Sequence, residues 1–413
     1  LYNSVYSQQI DVKPAISLIV DKTLETEFDS MIKVSNFKFN GEITDSWTKF
    51  GINNFLEVDS IHGPINALKT FNDKMFVFQD KAFAMLAINE RSLITDSNSS
   101  QIVLGTGGIL DRADYVSTVT GCKDKFSIAG GMTGLFWFDR VNNFLIKYSG
   151  AIDKISLSKE VQSYFDQNVI PDHTVIAHPD INNNEILFTF SYDNGILPES
   201  FTISFNEFVD TFVSFYGFIP AIYIPYDSRY FTTNYADRDL IWLHDSNIED
   251  CCKFYGGYVD STLELIFNPD YMNTKVFDNL FFISNTSSKI AILVDNNNPV
   301  KERNINIFDD TFDTLQCYND YQNTGVVPLQ YASGVGKNLE RRERTWTTFV
   351  PRNIVSSAVK NDPDPFATTS TIQLFKERMR DKYLIAYFTY DNSKAYDRFM
   401  VSNMACKYRI SYR

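Results

Sequence analysis

The sequence predicts an all-β fold, a β-propeller-like array of antiparallel hairpins with an accessory C-terminal β-sandwich, and three observations predict it. An apolar strand, a turn rich in Asn and Asp, and a second apolar strand recur as KMFVF-QDKAF-AMLAI (74–88), GLFWF-DRVNN-FLIKY (134–148), EILFTF-SYDNGILPES-FTISF (185–205) and DLIWL-HDSNIED-CCKFY (239–255), with starts about 50–60 residues apart. A lone hairpin cannot bury its apolar face, but several stacked hairpins can. The chain also holds 35 Phe and 23 Tyr among 413 residues, with Gly (18) and Pro (13) scarce, so large flat side chains fill wedge-shaped space between sheets. Finally, the chain closes on alternating strands, KYLIAYFTY (382–390) and FMVSNMACKYRISYR (399–413).

The elements follow in order. Residues 1–60 carry strand-like segments, Ala15 to Val20 and Met31 to Phe39, leading into the propeller. Residues 61–325 form the propeller-like domain. Its first two hairpins are joined by the loop SLITDSNSSQIVLGTGGILDRADYVS (92–117). A short helix is expected between Ser158 and Asn168, with Ser158 as N-cap and Val161, Tyr164, Phe165 and Asn168 on one face. Further hairpins follow, with polar turns such as DINNNE. Residues 326–413 form the C-terminal β domain, opened by the loop YASGVGKNLERRER and interrupted by KNDPDPFATTS. The final strand either belongs to this accessory domain, the reading preferred here, or pairs with an early strand and closes a ring.

Hydrophobic content of 44% gives a buried core, and no apolar run reaches the ~18 residues of a membrane helix. Stable membrane insertion is therefore not expected. The chain begins with Leu1 instead of Met, which suggests a processed form or part of something longer. Net charge is −13, yet residues 331–413 hold 15 Lys+Arg against 8 Asp+Glu, so the remainder is strongly acidic. An acidic body repels phosphates and suits either plain solubility or a wall along which DNA slides without sticking. The basic end is a candidate to dock on the acidic body of a neighbouring subunit. Cys122, Cys251, Cys252, Cys317 and Cys406 show no metal-ligand spacing and read as free thiols, with Cys251 and Cys252 adjacent on a predicted strand. The sequons at Asn98 and Asn285 carry no weight without a secretion signal.

No catalytic, cofactor or metal site is expected. GTGGIL (105–110) lacks the third glycine and the βαβ context of a nucleotide loop, and GVGK (334–337) lacks both the upstream glycine and the following Ser or Thr. His173 and His178 are five apart and aim at opposite faces of a strand, while His62 and His244 are isolated. Asp180, Asn182 and Asn184 open like a calcium loop, but Glu185 replaces the required glycine and Ser191 the bidentate acid, so a hairpin turn is the better reading. Asp309, Asp310 and Asp313 form the densest acidic cluster, and they read best as a solvated turn. The S-x-D-x-G-x-T-W turn of sialidase-type propellers is absent.

The runs DSWTKFGINNFLEVDSIHGPINALKTFNDKMFVFQDKAFAMLAINER (45–91), IVLGTGGILDRADYVS (102–117) and GLFWFDRVNNFLIKYSGAIDKISLS (134–158) resemble the nozzle, or tail stabilisation, proteins of short-tailed bacteriophages, and most closely the muzzle proteins of crAss-like phages. The ending KERMRDKYLIAYFTYDN with FMVSNMACKYRISYR resembles the same group. The resemblance implies a structural, non-enzymatic virion protein made in the host cytoplasm, with residues 1–60 continuing a tail-tube region. It implies a ring of copies, six by the resemblance, that lines and closes the DNA exit channel. Portal and ring-shaped adaptor proteins, tail fibres and passing genomic DNA are the implied partners. Two other classes remain open at this stage. One is a capsule-glycan hydrolase or lyase on a propeller; the other is a glycan-binding adhesin using exposed Trp137 or Trp242, although a strand Trp is more often core.

Overall fold

The computed structural model describes residues 28–36, 41, 46–88, 92–95, 101–104, 109–192, 200–244, 252–292, 301–307, 311–329, 338–353, 377–393 and 398–411. Ala15 to Val20, Asn98, residues 105–108 and 334–337, Cys251, Asp309, Asp310 and the loop 360–370 lie outside them. The chain divides into two compact units, Leu1–His244 and Asp245–Arg413. Both are built of antiparallel sheets, as the hairpin pattern predicts.

The first unit is a propeller-like series of up-and-down sheets. Sheet one takes strands Ile65–Phe71, Lys74–Gln79, Phe83–Ile88 and Leu110–Ser117 in order. Sheet two takes Ala129–Gly130, Leu135–Asp139, Phe144–Tyr148 and Ile152–Lys154. Sheet three takes Thr174–Asp180, Glu185–Ser191, Phe201–Asn206 and Thr211–Tyr216, and sheet four takes Pro220–Tyr226, Arg229–Asn234 and Ile241–His244. A small pair, Met31–Lys33 with Phe55–Glu57, precedes them.

The inner strands read as continuous apolar runs because both faces are buried. Along 74–79, Phe76 and Phe78 join Leu135, Trp137 and Ile146 of sheet two, whereas Val77 joins Ile32 and Val58 on the other side. Phe136, Phe138 and Leu145 turn away from that cluster to meet Ile186, Phe188 and Phe190 of sheet three. Each fully buried Phe or Trp contributes about 1.5–3 kcal/mol of burial, so the aromatic content is what stacks these sheets.

Three local expectations are corrected. The helix begins at Gln162 and ends at Asn168, after a separate short helix Ile155–Ser158. Ser158 closes that first helix and donates to Asp153, while Glu160, at φ 61°, reverses the chain between the two. The apolar face is as expected: Phe165 is buried, and Val161 and Tyr164 pack beside it. The stretch 92–117 is no simple loop, because Leu110–Ser117 completes sheet one and Ser92–Thr95 pairs with Gln101–Leu104. The segment 239–255 is not a hairpin. Ile241–His244 pairs backward with Arg229–Asn234, and Cys252 sits in a turn at φ 59° before the small pair Lys253–Phe254 and Gly257–Tyr258.

The second unit has a core between two sheets. One runs Ser261–Phe267, Leu384–Tyr390, Thr314–Tyr318, Asn323–Pro328. The other is organised by the 18-residue strand Lys275–Ile292, which pairs with Lys301–Ile307, Thr345–Phe349, Arg380–Asp381 and Arg398–Ile410. Register shifts near Phe277 and Ile283 bend this strand, which lets one element serve several partners. Phe282, Phe312, Leu315, Leu384 and Phe388 form the core. The final strand thus joins the sandwich instead of reaching an early strand. A boundary at 325/326 would cut a sheet in which Ser261–Phe267 pairs along its length with Leu384–Tyr390. The loops around 331–344 and 360–370 look like linkers in composition, but composition carries no information on pairing between strands over a hundred residues apart.

Candidate functional site: the joints between sheets

Among the described residues of the first unit, networks of polar contacts lie where successive sheets meet. Between sheets one and two, the buried Trp137 indole donates from Nε1 to the Gly121 carbonyl at 3.0 Å and sits 5.2 Å from the Phe78 ring and 4.9 Å from that of Phe83. Asn66 Nδ2 donates to Asp80 Oδ1 at 2.7 Å and to the Cys122 carbonyl at 2.9 Å. Gly121 passes so close to sheet one that a Cβ there would lie 2.3 Å from the Gln79 carbonyl oxygen.

Between sheets two and three the joint is ionic. The turn joining Phe201–Asn206 to Thr211–Tyr216 is shaped by Asn206 Oδ1, which accepts from the Phe208 and Val209 N–H groups at 3.0 Å each. That shape places Glu207 and Asp210 against sheet two. The Glu207 carboxylate accepts from Met132 N at 3.0 Å, Thr133 N at 2.7 Å and Thr133 Oγ1 at 2.7 Å. Gly131 makes the room, since a Cβ there would meet the same carboxylate at 2.5 Å. Asp210 bridges Lys147 at 2.8 Å and Lys159 at 2.6 Å, and hydrogen bonds from these two ammonium groups hold its carboxyl below the usual carboxylate range. On the opposite side, Arg140 chelates Asp124 at 2.7 and 2.8 Å and also donates to the carbonyls of Pro171 and His173.

Sheets three and four meet through hydroxyls and imidazoles. The Thr202 hydroxyl donates to the Phe218 carbonyl at 2.7 Å, so its contact with Thr189 Oγ1 at 2.9 Å must be donated by Thr189. Tyr223 OH, 2.8 Å from Thr189 Oγ1, then supplies the next proton in the chain. His178 stacks on Tyr223 at 5.2 Å and leans on Tyr230 at 4.9 Å; His244 stacks on the same Tyr230 at 4.7 Å. Burial pushes both imidazoles down to about 4. The far face of sheet four is apolar and exposed at Ile222, Ile224, Ile241 and Leu243.

In the second unit, Asp278 takes Arg409 at 2.7 Å and Arg378 at 3.1 Å, so part of the positive excess of residues 331–413 is used within the sandwich. Lys275 is buried, and Nζ donates to the carbonyls of Asp270 at 2.7 Å and Asn273 at 3.1 Å.

The residues singled out in the sequence are scattered. His173 is buried beside Arg140's carbonyl partners, while His178 and His244 meet around Tyr230. Asp180 closes its own hairpin turn, accepting from Asn183 N at 3.3 Å and Nδ2 at 2.8 Å. Trp137 is core and Trp242 is half-buried. Among the described residues no group of three or more His, Cys, Asp or Glu is arranged to hold a metal, and no described helix is long and apolar enough to cross a membrane. Glu207, Asp210 and Arg140 carry no motif; their one sequence signal is that they sit in or beside hairpin turns.

Stacked meander sheets, cross-tied where the described sheets of the first unit meet, define an all-β protein of antiparallel hairpin sheets. The family model of the crassvirus muzzle protein matches residues 1–235, and that of the crassvirus muzzle protein C-terminal domain matches residues 251–353. The chain belongs to the crassvirus muzzle protein family. It is 26% identical over 370 residues, 86% of its length, to the muzzle protein of Bacteroides phage crAss001, and spans about a quarter of that relative.

Proposed function

We propose that this chain is a structural component of the phage virion, a portion of the muzzle at the distal end of a short tail. The observation that carries the reading is the family match across the stacked sheets, residues 1–235. In this role copies of the chain form a ring, six by resemblance, that lines and closes the DNA exit channel. Portal and ring adaptors lie on one side and tail fibres on the other. The physical properties of the first unit support it. A wall facing passing DNA must be stiff and must not adhere, and the joints made by Glu207, Asp210 and Arg140 cross-tie neighbouring sheets. The acidic balance outside residues 331–413 keeps phosphates from sticking. Electron microscopy with mass determination on the purified chain at micromolar concentration tests the reading. Closed rings with a central channel are expected; a monodisperse monomer, both alone and with ring adaptor proteins added, would overturn it.

A further inference from the structure

The seam between sheets three and four is chemically unlike the joint between sheets one and two. Where Phe76, Phe78, Phe83 and Trp137 fill the latter, sheet three here presents Thr189, Thr202, Ser204, His178 and Asp180, all buried. Sheet four answers with Tyr223, Tyr230, Thr232 and His244. Thr232 Oγ1 lies 2.6 Å from His244 Nε2, and the Phe218 ring packs 5.0 Å from the same imidazole. His178 and His244 thus lie against one phenol ring, each from a different sheet.

We propose that this seam is an acid-labile hinge, at which proton uptake by His178 and His244 releases the sheet of residues 220–244 from the sheet of residues 174–216 while the aromatic joint between sheets one and two stays closed. The groups around the imidazoles give the direction. The charge facing His178 is Lys69, and the group facing His244 is His178 itself, so each imidazolium would meet positive charge. Asp180, Glu185, Tyr216 and Tyr223 face Tyr230, and Glu185, which accepts from Tyr216 OH at 2.8 Å, is itself pushed up by burial. The Tyr230 ring attracts one imidazolium, but two packed against the same ring would repel one another.

The sign follows from linkage. Both imidazoles are held at about 4 in the closed seam and return to the ordinary 6.5 once exposed. The closed seam therefore binds fewer protons. Its full strength is present above about pH 6.5 and is lost as pH falls toward 4, with each histidine shifting the opening equilibrium by up to ~10-fold per pH unit.

Hydrogen exchange followed by mass spectrometry on the full chain, corrected for intrinsic rates, tests this between pH 7.5 and 5.0. Peptides covering 220–234 should lose protection at least ~10-fold more than peptides covering 74–88 and 135–148. The variants His178→Phe, which keeps a ring against Tyr223, and His244→Gln, which keeps a polar partner for Thr232, should each flatten that dependence. Should one variant fail to fold at pH 7.5, the other and the wild-type comparison decide. Equal loss of protection in all three sheets, or an unchanged dependence in a folded variant, would overturn the hinge.

Discussion

Gly121 stands where two backbones touch, and its substitution is the most direct probe of how tightly sheets one and two are joined. The position leaves no room for a methyl group. A Cβ would overlap both the Gln79 carbonyl and the Asp80 backbone, and the Cys122 N–H bond to Gln79 at 2.9 Å holds the approach in place. Gly121→Ala should cost about 1–3 kcal/mol, as overpacking does in a core that cannot yield. Its neighbour in the joint behaves oppositely. Trp137→Ala opens a cavity and strands the Gly121 carbonyl, and should cost about 3–5 kcal/mol. Urea midpoints of the two variants check both values. A Gly121→Ala variant as stable as wild type would mean that the sheets slide apart freely at this point. His178 and His244 show a different residue-scale effect: neither carries a motif in the sequence, and each gains its meaning from the Tyr230 ring that both pack against.

At the scale of elements, the turn 207–210 tests whether a hairpin tip can be a structural tie. Glu207→Gln keeps shape but turns an NH₂ group toward N–H donors that now find a carboxylate oxygen at 2.7 and 3.0 Å. A loss of about 1–3 kcal/mol is expected, the range for buried charge-assisted bonds, with faster hydrogen exchange at Met132 and Thr133 as the local signature. Exchange rates there unchanged from wild type would remove Glu207 from the joint. What the sequence makes legible is the inner strand pairs, because burial on both faces writes runs such as FVF and LFWF directly into the chain. Outer strands are less legible. Pro220 and Pro225 disguise an edge strand of sheet four, and the turn at Asp227, φ 55°, has no glycine to announce it. The expected hairpin at 239–255 took the third strand of one sheet for the first of the next. The joints leave no mark in the sequence, since Glu207 with Thr133, or His178 with Tyr230, become neighbours through stacking and not through spacing.

At the scale of the whole molecule, the question is whether the chain unfolds as one body or two. Among the described residues each unit holds apolar clusters of its own: those of the first draw on residues before 219, and that of the second begins at Leu263. Two-state behaviour is then not expected for a chain of this size. One buried thiol in each unit reports the answer. Cys122 and Cys317 are fully buried; burial pushes Cys122 up to about 12 and raises Cys317 as well, so neither offers a thiolate to an alkylating reagent until its unit opens. Pulse alkylation along a urea series, read by peptide mass, should give separate midpoints for the two sites. Phe282→Ala removes a ring packed 5.5 Å from Phe312 and 5.6 Å from Phe388, and should cost the second unit about 3–5 kcal/mol. With urea slopes of about 1–3 kcal/mol/M, the Cys317 midpoint should fall by on the order of 1 M or more while that of Cys122 stays in place. If both thiols moved together, the units would be one cooperative body, and strain applied to the sandwich would reach the stacked sheets directly.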